Sequence, residues 1–228
     1  LKLECLHPPL APRDFTTAAR LQRELRGRVV CRLPDSYTPR LVAGCDVAAS
    51  ARSPVAYAAV VVLTFPALEP FEEASAAARV TFPYVPGFLA FREAPALAAA
   101  LERLSCLPDL FLFDGQGLAH PRGLGLASYM GLMVGRPSIG VAKSRLCGTY
   151  LPPGLRRGDS SPLLDDEGKE IGRVVRTRDN VRPLFVSVGH LVSLDEAVRL
   201  TLACGKGLRV PEPTRLADIL VGSLKRAG

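Results

Sequence analysis

Residues 55–65, Val-Ala-Tyr-Ala-Ala-Val-Val-Val-Leu-Thr-Phe, are almost wholly apolar and rich in β-branched side chains. A run like this suits a strand covered on both faces, so the chain has to build layers around a sheet. A second run, Leu41-Val42-Ala43-Gly44-Cys45-Asp46-Val47, precedes it, and an alternating stretch of small residues from Phe71 to Phe82 follows. Three consecutive strands with short connections predict an antiparallel meander.

The pattern then changes. Upstream, Asp14 is placed to cap a helix with an apolar face of Phe15, Ala18, Ala19, Leu21 and Leu25, ending at Gly27. A proline-bearing linker, Leu33-Pro34-Asp35 to Pro39, joins it to the first strand. Beyond the meander, Pro83-Tyr84-Val85-Pro86-Gly87 cannot continue a strand, and Leu97 to Leu104 has helical spacing with Pro95 suited to its first turn. Leu110 to Phe113 predicts a short buried strand, followed by the loop Gly115-Gln116-Gly117 and a helix from Leu126 to Val134. Pro137 to Ala142 predicts another buried strand. Residues 152–170, rich in Pro, Gly, Ser and acids, predict an exposed insertion. Two strands (Ile171 to Thr177 and Leu184 to Val188) and two helices complete the order, one capped by the Ser193/Glu196 box, the other following Pro211-Glu212-Pro213 and holding Asp218. The expectation is an α/β fold in a single domain over residues 1–228, a mixed central sheet flanked by helices, with an N-terminal helix and linker over 1–40.

Composition excludes several classes. With 48% hydrophobic and 22% charged residues the chain can bury a full core and is not disordered. No apolar run is long enough to span a bilayer, and no signal peptide precedes the first helix. Leu1 in first place suggests a lost initiator Met. The six cysteines (Cys5, Cys31, Cys45, Cys106, Cys147 and Cys204) are scattered with no zinc-type spacing, as in free thiols of a reducing compartment. A cytoplasmic protein without membrane contact is expected. The net charge is +7, and only five of the 29 basic residues are lysines. Arginine's planar fork suits phosphate, which permits a nucleic-acid partner without establishing one.

Carboxylates inside apolar strands carry the chemistry. Asp46 lies within the first strand and Asp114 ends Leu110 to Phe113. Burying a carboxylate is costly unless it is paired or bound to metal, and two on neighbouring strands repel unless a cation lies between them. Glu93 stands near the start of the intervening helix and Asp218 on the last helix. An all-oxygen set of this kind suits Mg²⁺, with Mn²⁺ substituting, and not zinc. Any one of these acids alone would be read as a cap or a surface ion pair.

Five blocks in order narrow the reading. They are Leu41 to Val47 around Asp46; Pro83 to Glu93; Phe113-Asp114-Gly115-Gln116-Gly117 with His120-Pro121-Arg122; Ile139-Gly140-Val141-Ala142-Lys143; and Pro211-Glu212-Pro213-Thr214-Arg215. The acids resemble those of the ribonuclease H-like nucleases, and the blocks together resemble the endonuclease V family from about residue 41 to 220. The resemblance implies a ribonuclease H-like fold and a nuclease that recognises deoxyinosine in DNA. It would hydrolyse the second phosphodiester 3′ to the lesion, leaving 3′-hydroxyl and 5′-phosphate ends for repair proteins. It implies that Asp46, Glu93 and Asp114 bind the catalytic metal. Asp218 joins them at a position where members carry Asp or His. Lys143 would contact phosphate or the attacking water, and His120 would lie beside the site. Pro83, Tyr84, Val85 and Pro86 would form the wedge that opens the duplex, a use that suits an aromatic ring on a proline-stiffened bend. Leu89, Gly115, Gln116, Gly117 and Gly140 would form the base pocket. Some members have His or Asn at position 116, so only a main-chain role is carried over to that loop. A monomer is expected.

Three rivals stand beside this reading. The same chemistry could act on inosine in RNA, since no single residue announces how a 2′-hydroxyl is treated. A catalytically silent inosine-binding module would keep wedge and pocket, but the three acids argue against it. A base-excising glycosylase would leave an abasic site and make metal carboxylates superfluous.

Overall fold

The computed structural model describes residues 9–33, 37–49 and 53–227. Cys5 and part of the 33–39 linker (residues 34–36) lie outside the described residues. The meander forms as β1 (Leu41–Ala48), β2 (Val55–Thr64) and β3 (Pro70–Arg79), antiparallel throughout, with Asp46 opposite Ala59. β4 (Leu110–Phe113) runs parallel to β1, and β5 (Ser138–Ala142) runs parallel to β4. β6 (Ser160–Leu164), β7 (Glu170–Val175) and β8 (Leu184–His190) extend the sheet antiparallel from β5. The result is one mixed eight-stranded sheet in the order β3-β2-β1-β4-β5-β8-β7-β6.

Period-2 alternation divides the core between the two faces. Ala43, Cys45, Val60, Phe111 and Phe113 point toward α1 (Phe15–Arg26), α2 (Leu89–Leu101) and α3 (Leu126–Val134). Val42, Val61, Leu110, Leu112, Ile139 and Val186 point toward α4 (Leu194–Ala203) and α5 (Glu212–Ala227). A strand such as β4 therefore has no polar face, and all four of its residues are fully buried. Burial of each such side chain contributes about 1.5–3 kcal/mol, which holds the short strand in the centre. Asp14 caps α1 by accepting from the Thr17 N–H at 2.7 Å, and Ser193 caps α4 by accepting from the Glu196 N–H at 3.2 Å.

The structure corrects three expectations. α2 starts at Leu89, so Pro95 lies two turns in and not in the first turn. A proline there removes the bond to the Phe91 carbonyl at a cost of about 3 kcal/mol. The buried face of Phe91, Ala94, Leu97, Ala98 and Leu101 outweighs it. Residues 152–170 are not wholly an exposed insertion, because β6 forms within them and hairpins onto β7. Only Leu163 of β6 is buried, so the strand carries almost no apolar signature. The last helix begins at Glu212, with Pro213 inside its first turn. Among the described residues no helix is long and apolar enough to cross a membrane, and Cys31, Cys45, Cys106, Cys147 and Cys204 are free.

Candidate active site

The two strand-borne acids meet because β1 and β4 are parallel neighbours. The Asp114 N–H donates to the Cys45 carbonyl at 2.9 Å, which sets Asp114 beside Asp46 at the carboxyl ends of both strands. Open α/β sheets bind ligands at such ends. α2 brings Glu93 to the same place, and β5 ends one residue before Lys143. From the other face, α5 contributes Asp218. Its first turn lies directly on β1 at Gly44, where a Cβ would stand 2.0 Å from the Pro213 carbonyl carbon and 2.4 Å from the Thr214 nitrogen. Only glycine admits that approach.

Lys143 joins the two halves. Its Nζ lies 2.6 Å from Asp114 Oδ2 and 3.1 Å from Asp218 Oδ2. Arg209 anchors the backbone beneath it, donating from Nη2 to the Lys143 carbonyl at 2.9 Å and from Nε to the Arg182 carbonyl at 2.8 Å. Arg209 was not singled out from the sequence, where one arginine among many gives no signal.

The acids are electrostatically crowded. Burial, and then the charge of Asp114, push the Asp46 carboxyl up to about 7, although its Oδ1 accepts from the Val47 N–H at 2.8 Å. Glu93 is pushed up to about 8 by burial and by Asp46, with Arg92 opposing. Burial also raises Asp114, against the pull of Lys143. Burial weighs against the Lys143 ammonium, but its bonds to Asp114 and Asp218 more than offset this and its pKa rises. Hard oxygen donors that repel one another are suited in kind to a divalent cation. Among the described residues, however, no three acid, His or Cys side chains are closed into a coordination shell as they stand.

A cavity of about 280 Å³ opens beside Glu93 and Asp114. Leu89, Gly115 and Gln116 line it; so do Leu126 and the exposed turn Ser144-Arg145-Leu146, which the sequence reading missed. The position of that turn just past a parallel strand was the available signal.

Gly117 and Gly140 do not line the cavity. A Cβ on Gly117 would meet the Val188 oxygen at 2.0 Å, and one on Gly140 would meet the Gly117 nitrogen at 2.4 Å. These glycines let strands approach the loop from behind. The loop's main chain is also largely engaged within the protein. Gln116 O accepts from the Ala127 N–H at 3.0 Å and Gly117 O from the Gly125 N–H at 2.9 Å, while the Gly117 N–H donates to Ser187 Oγ at 2.8 Å. Gln116 Nε2 donates to the Ser144 carbonyl at 3.0 Å, and its buried Oε1 has no partner among the described residues.

His120 lines the cavity with both ring nitrogens committed to main chain. Nδ1 accepts from the Arg122 N–H at 3.1 Å, so Nε2 carries the proton toward the Gly87 carbonyl at 2.9 Å. Burial and the Arg122 charge depress its pKa to about 4, which keeps it neutral. In the bend before α2, Pro83, Tyr84 and Pro86 are exposed and Val85 is half-buried. The Arg92 guanidinium lies 5.8 Å from the Tyr84 ring centre and donates to the Phe82 carbonyl at 2.7 Å.

Comparison with known proteins agrees with this architecture. The family model described as Endonuclease V matches residues 23–219. The Endonuclease V of Roseiflexus sp. (strain RS-1) is 48% identical over 210 residues, covering 92% of each chain. The crystal structure of Endonuclease V from Streptomyces avermitilis superimposes with a TM-score of 0.89 at 47% identity, covering 96% of this chain and 97% of that one. The Endonuclease V of Ciona intestinalis, solved in complex with a 24mer DNA containing an inosine followed by a ribo-adenosine, gives a TM-score of 0.79 at 28% identity over 92% and 96% of the two chains.

Proposed function

The chain belongs to the endonuclease V family, with its ribonuclease H-like fold, and is a nuclease; on that premise we propose that it recognises deoxyinosine in DNA and hydrolyses the second phosphodiester 3′ to the lesion, leaving 3′-hydroxyl and 5′-phosphate ends. The observation that carries the reading is the cavity walled by Leu89 and Gln116, which opens at Glu93 and Asp114; these two carboxyls and that of Asp46 are raised first of all by burial. The inosine-containing DNA bound by the Ciona relative supports the same substrate.

Asp46, Glu93 and Asp114 would hold a divalent cation, Mg²⁺ or Mn²⁺, with Asp218 joining from α5; their oxygen-only character and crowded charge support this. A bound cation supplies charge relief at the phosphoryl oxygens and makes water a stronger acid. The residues themselves then divide the work. With a cation balancing the Asp114 and Asp218 carboxylates in its place, the Lys143 ammonium would be free to contact phosphate or orient the attacking water. Leu89, Gly115 and Gln116 enclose the flipped base, while Gly117 and Gly140 keep the loop against the sheet. His120, neutral and bonded at both nitrogens, holds the chain beside the site instead of shuttling a proton. Pro83, Tyr84, Val85 and Pro86 enter the stacked duplex, and the exposure of Pro83, Tyr84 and Pro86 supports that use. Five free cysteines among the described residues fit a reducing cytoplasm, where the protein would act as a monomer and pass the nick to repair proteins.

The ribo-adenosine in the Ciona complex favours a second reading, inosine in RNA. End-labelled inosine DNA and inosine RNA, incubated with the protein and Mg²⁺, separate the two. Cutting of the DNA one nucleotide beyond the lesion is expected. Cutting of RNA alone would replace the DNA assignment, and an abasic product or no cleavage would end the nuclease reading of this site.

A further inference from the structure

The carbonyl of Gly87 is held from three directions. It accepts from Gln22 Nε2 at 3.0 Å, faces His120 Nε2 at 2.9 Å, and accepts from Arg122 Nη2. Gly87 follows the exposed bend 83–86 directly and has φ +83°, a conformation open to glycine. Gln22 belongs to α1, far away in sequence, yet its side chain is completely buried. Both of its polar atoms are engaged here: Nε2 also reaches the Leu124 carbonyl at 3.2 Å, and Oε1 accepts from Arg122 Nε. The Arg122 guanidinium then stacks on the neighbouring Phe88 ring at 3.9 Å.

A buried glutamine on an amphipathic helix contributes little to a core, because it brings polar atoms that must all be satisfied. Here they are satisfied by the Gly87 and Leu124 carbonyls and by Arg122, which itself grips Gly87, and this argues that Gln22 serves the segment it holds. We propose that Gln22 is a positioning residue that anchors the root of the 83–86 bend, so that the bend can open duplex DNA without yielding. This inference rests on the reading of Tyr84 as a wedge. Separating stacked bases costs a few kcal/mol per step, and a protruding bend can supply that only if its base does not give way. Single-stranded substrate needs no opening and is indifferent to the anchor.

Gln22→Leu removes every polar contact of the side chain. Gln22→Glu keeps an acceptor for Arg122 but loses the donation to Gly87 and Leu124. Both should cut duplex inosine DNA slower by about ten-fold, the scale of one lost hydrogen bond to a charged or buried group. On a single-stranded inosine oligonucleotide, which needs no opening, both should stay within about three-fold of the parent, a barrier change well under ~1 kcal/mol. Retained single-strand cleavage also shows that the variants fold. Equal losses on the two substrates, or no loss on either, would overturn the anchor. Tyr84→Ala, run beside them, separates the two ideas. If it shows the duplex defect and the Gln22 variants do not, the anchor fails alone. If Tyr84→Ala loses both substrates equally, the wedge reading falls and the anchor falls with it.

Discussion

Replacing Gly140 by alanine tests whether the loop after Asp114 is held from behind. The added Cβ would stand 2.4 Å from the Gly117 nitrogen and 2.8 Å from both the Gln116 carbonyl carbon and the Gly115 oxygen. All three are backbone atoms, so no side chain can swing aside. Unstrained contact requires the loop to retreat by about 1 Å, because packed interiors absorb little by compression. Overpacking of this kind costs about 1–3 kcal/mol. For a domain of this size that lowers Tm by roughly 2–12 °C. The loop follows Asp114 directly and forms one wall of the cavity, so its retreat misplaces the base and an acid together. A displacement near 1 Å can cost about a hundred-fold in kcat. The assay is single-turnover cleavage of a single-stranded inosine oligonucleotide in saturating Mg²⁺, with thermal unfolding measured in parallel. A Gly140→Ala protein with parental kcat would refute the reasoning even if Tm fell, because the loop would then be free to shift without consequence.

The remaining predictions concern the acids and the base. Asp46→Ala, Glu93→Ala or Asp114→Ala should abolish Mg²⁺-dependent cleavage while inosine DNA is still bound in Ca²⁺; near-parental nicking by Asp114→Ala would remove it from the metal set. Without metal, Asp46 and Glu93 hold protons in the folded state up to about 7 and about 8, against 3.8 and 4.5 otherwise. The folded state therefore binds more protons between about pH 4 and 8, and stability should fall as pH rises through that window. Tm in chelator should drop from pH 5 to pH 9, and added Mg²⁺ should restore it more at the high end; a Tm that rises with pH in chelator would contradict the crowding. On otherwise identical single-stranded oligonucleotides, inosine should be cut well, xanthosine weakly, and guanosine and adenosine almost not at all. Guanine matches hypoxanthine at O6 and N1–H, so equal cutting of guanosine would exclude a close wall at C2.

The central strands and the acids were legible because both are anomalies of composition. A run such as Val60-Val61-Val62-Leu63 has few alternatives to a buried strand, and an aspartate ending Leu110 to Phe113 contradicts its surroundings. The start of α2 was not legible, since Pro95 reads as a first-turn residue whenever the packing of Phe91 is unknown. β6 escaped notice because one buried leucine cannot announce a strand. Gly117 and Gly140 were misplaced for a more basic reason. A glycine that makes room for a ligand and one that makes room for another backbone leave the same mark in a sequence. Gln22 left none, because a glutamine on an amphipathic helix normally faces water.

The seat of α5 on Gly44 bears on whether Lys143 meets both of its partners. Lys143 is bonded to one carboxylate supplied near the middle of the chain and another supplied by its final helix. Pairing of β1, β4 and β5 brings Asp46, Asp114 and Lys143 together, but Asp218 reaches Lys143 only where α5 has docked on β1. Fraying of the final helix in the mature protein would undo the same step while leaving the strands paired. The Lys143–Asp218 bond therefore reports on the docking of α5 and not on the pairing of the sheet.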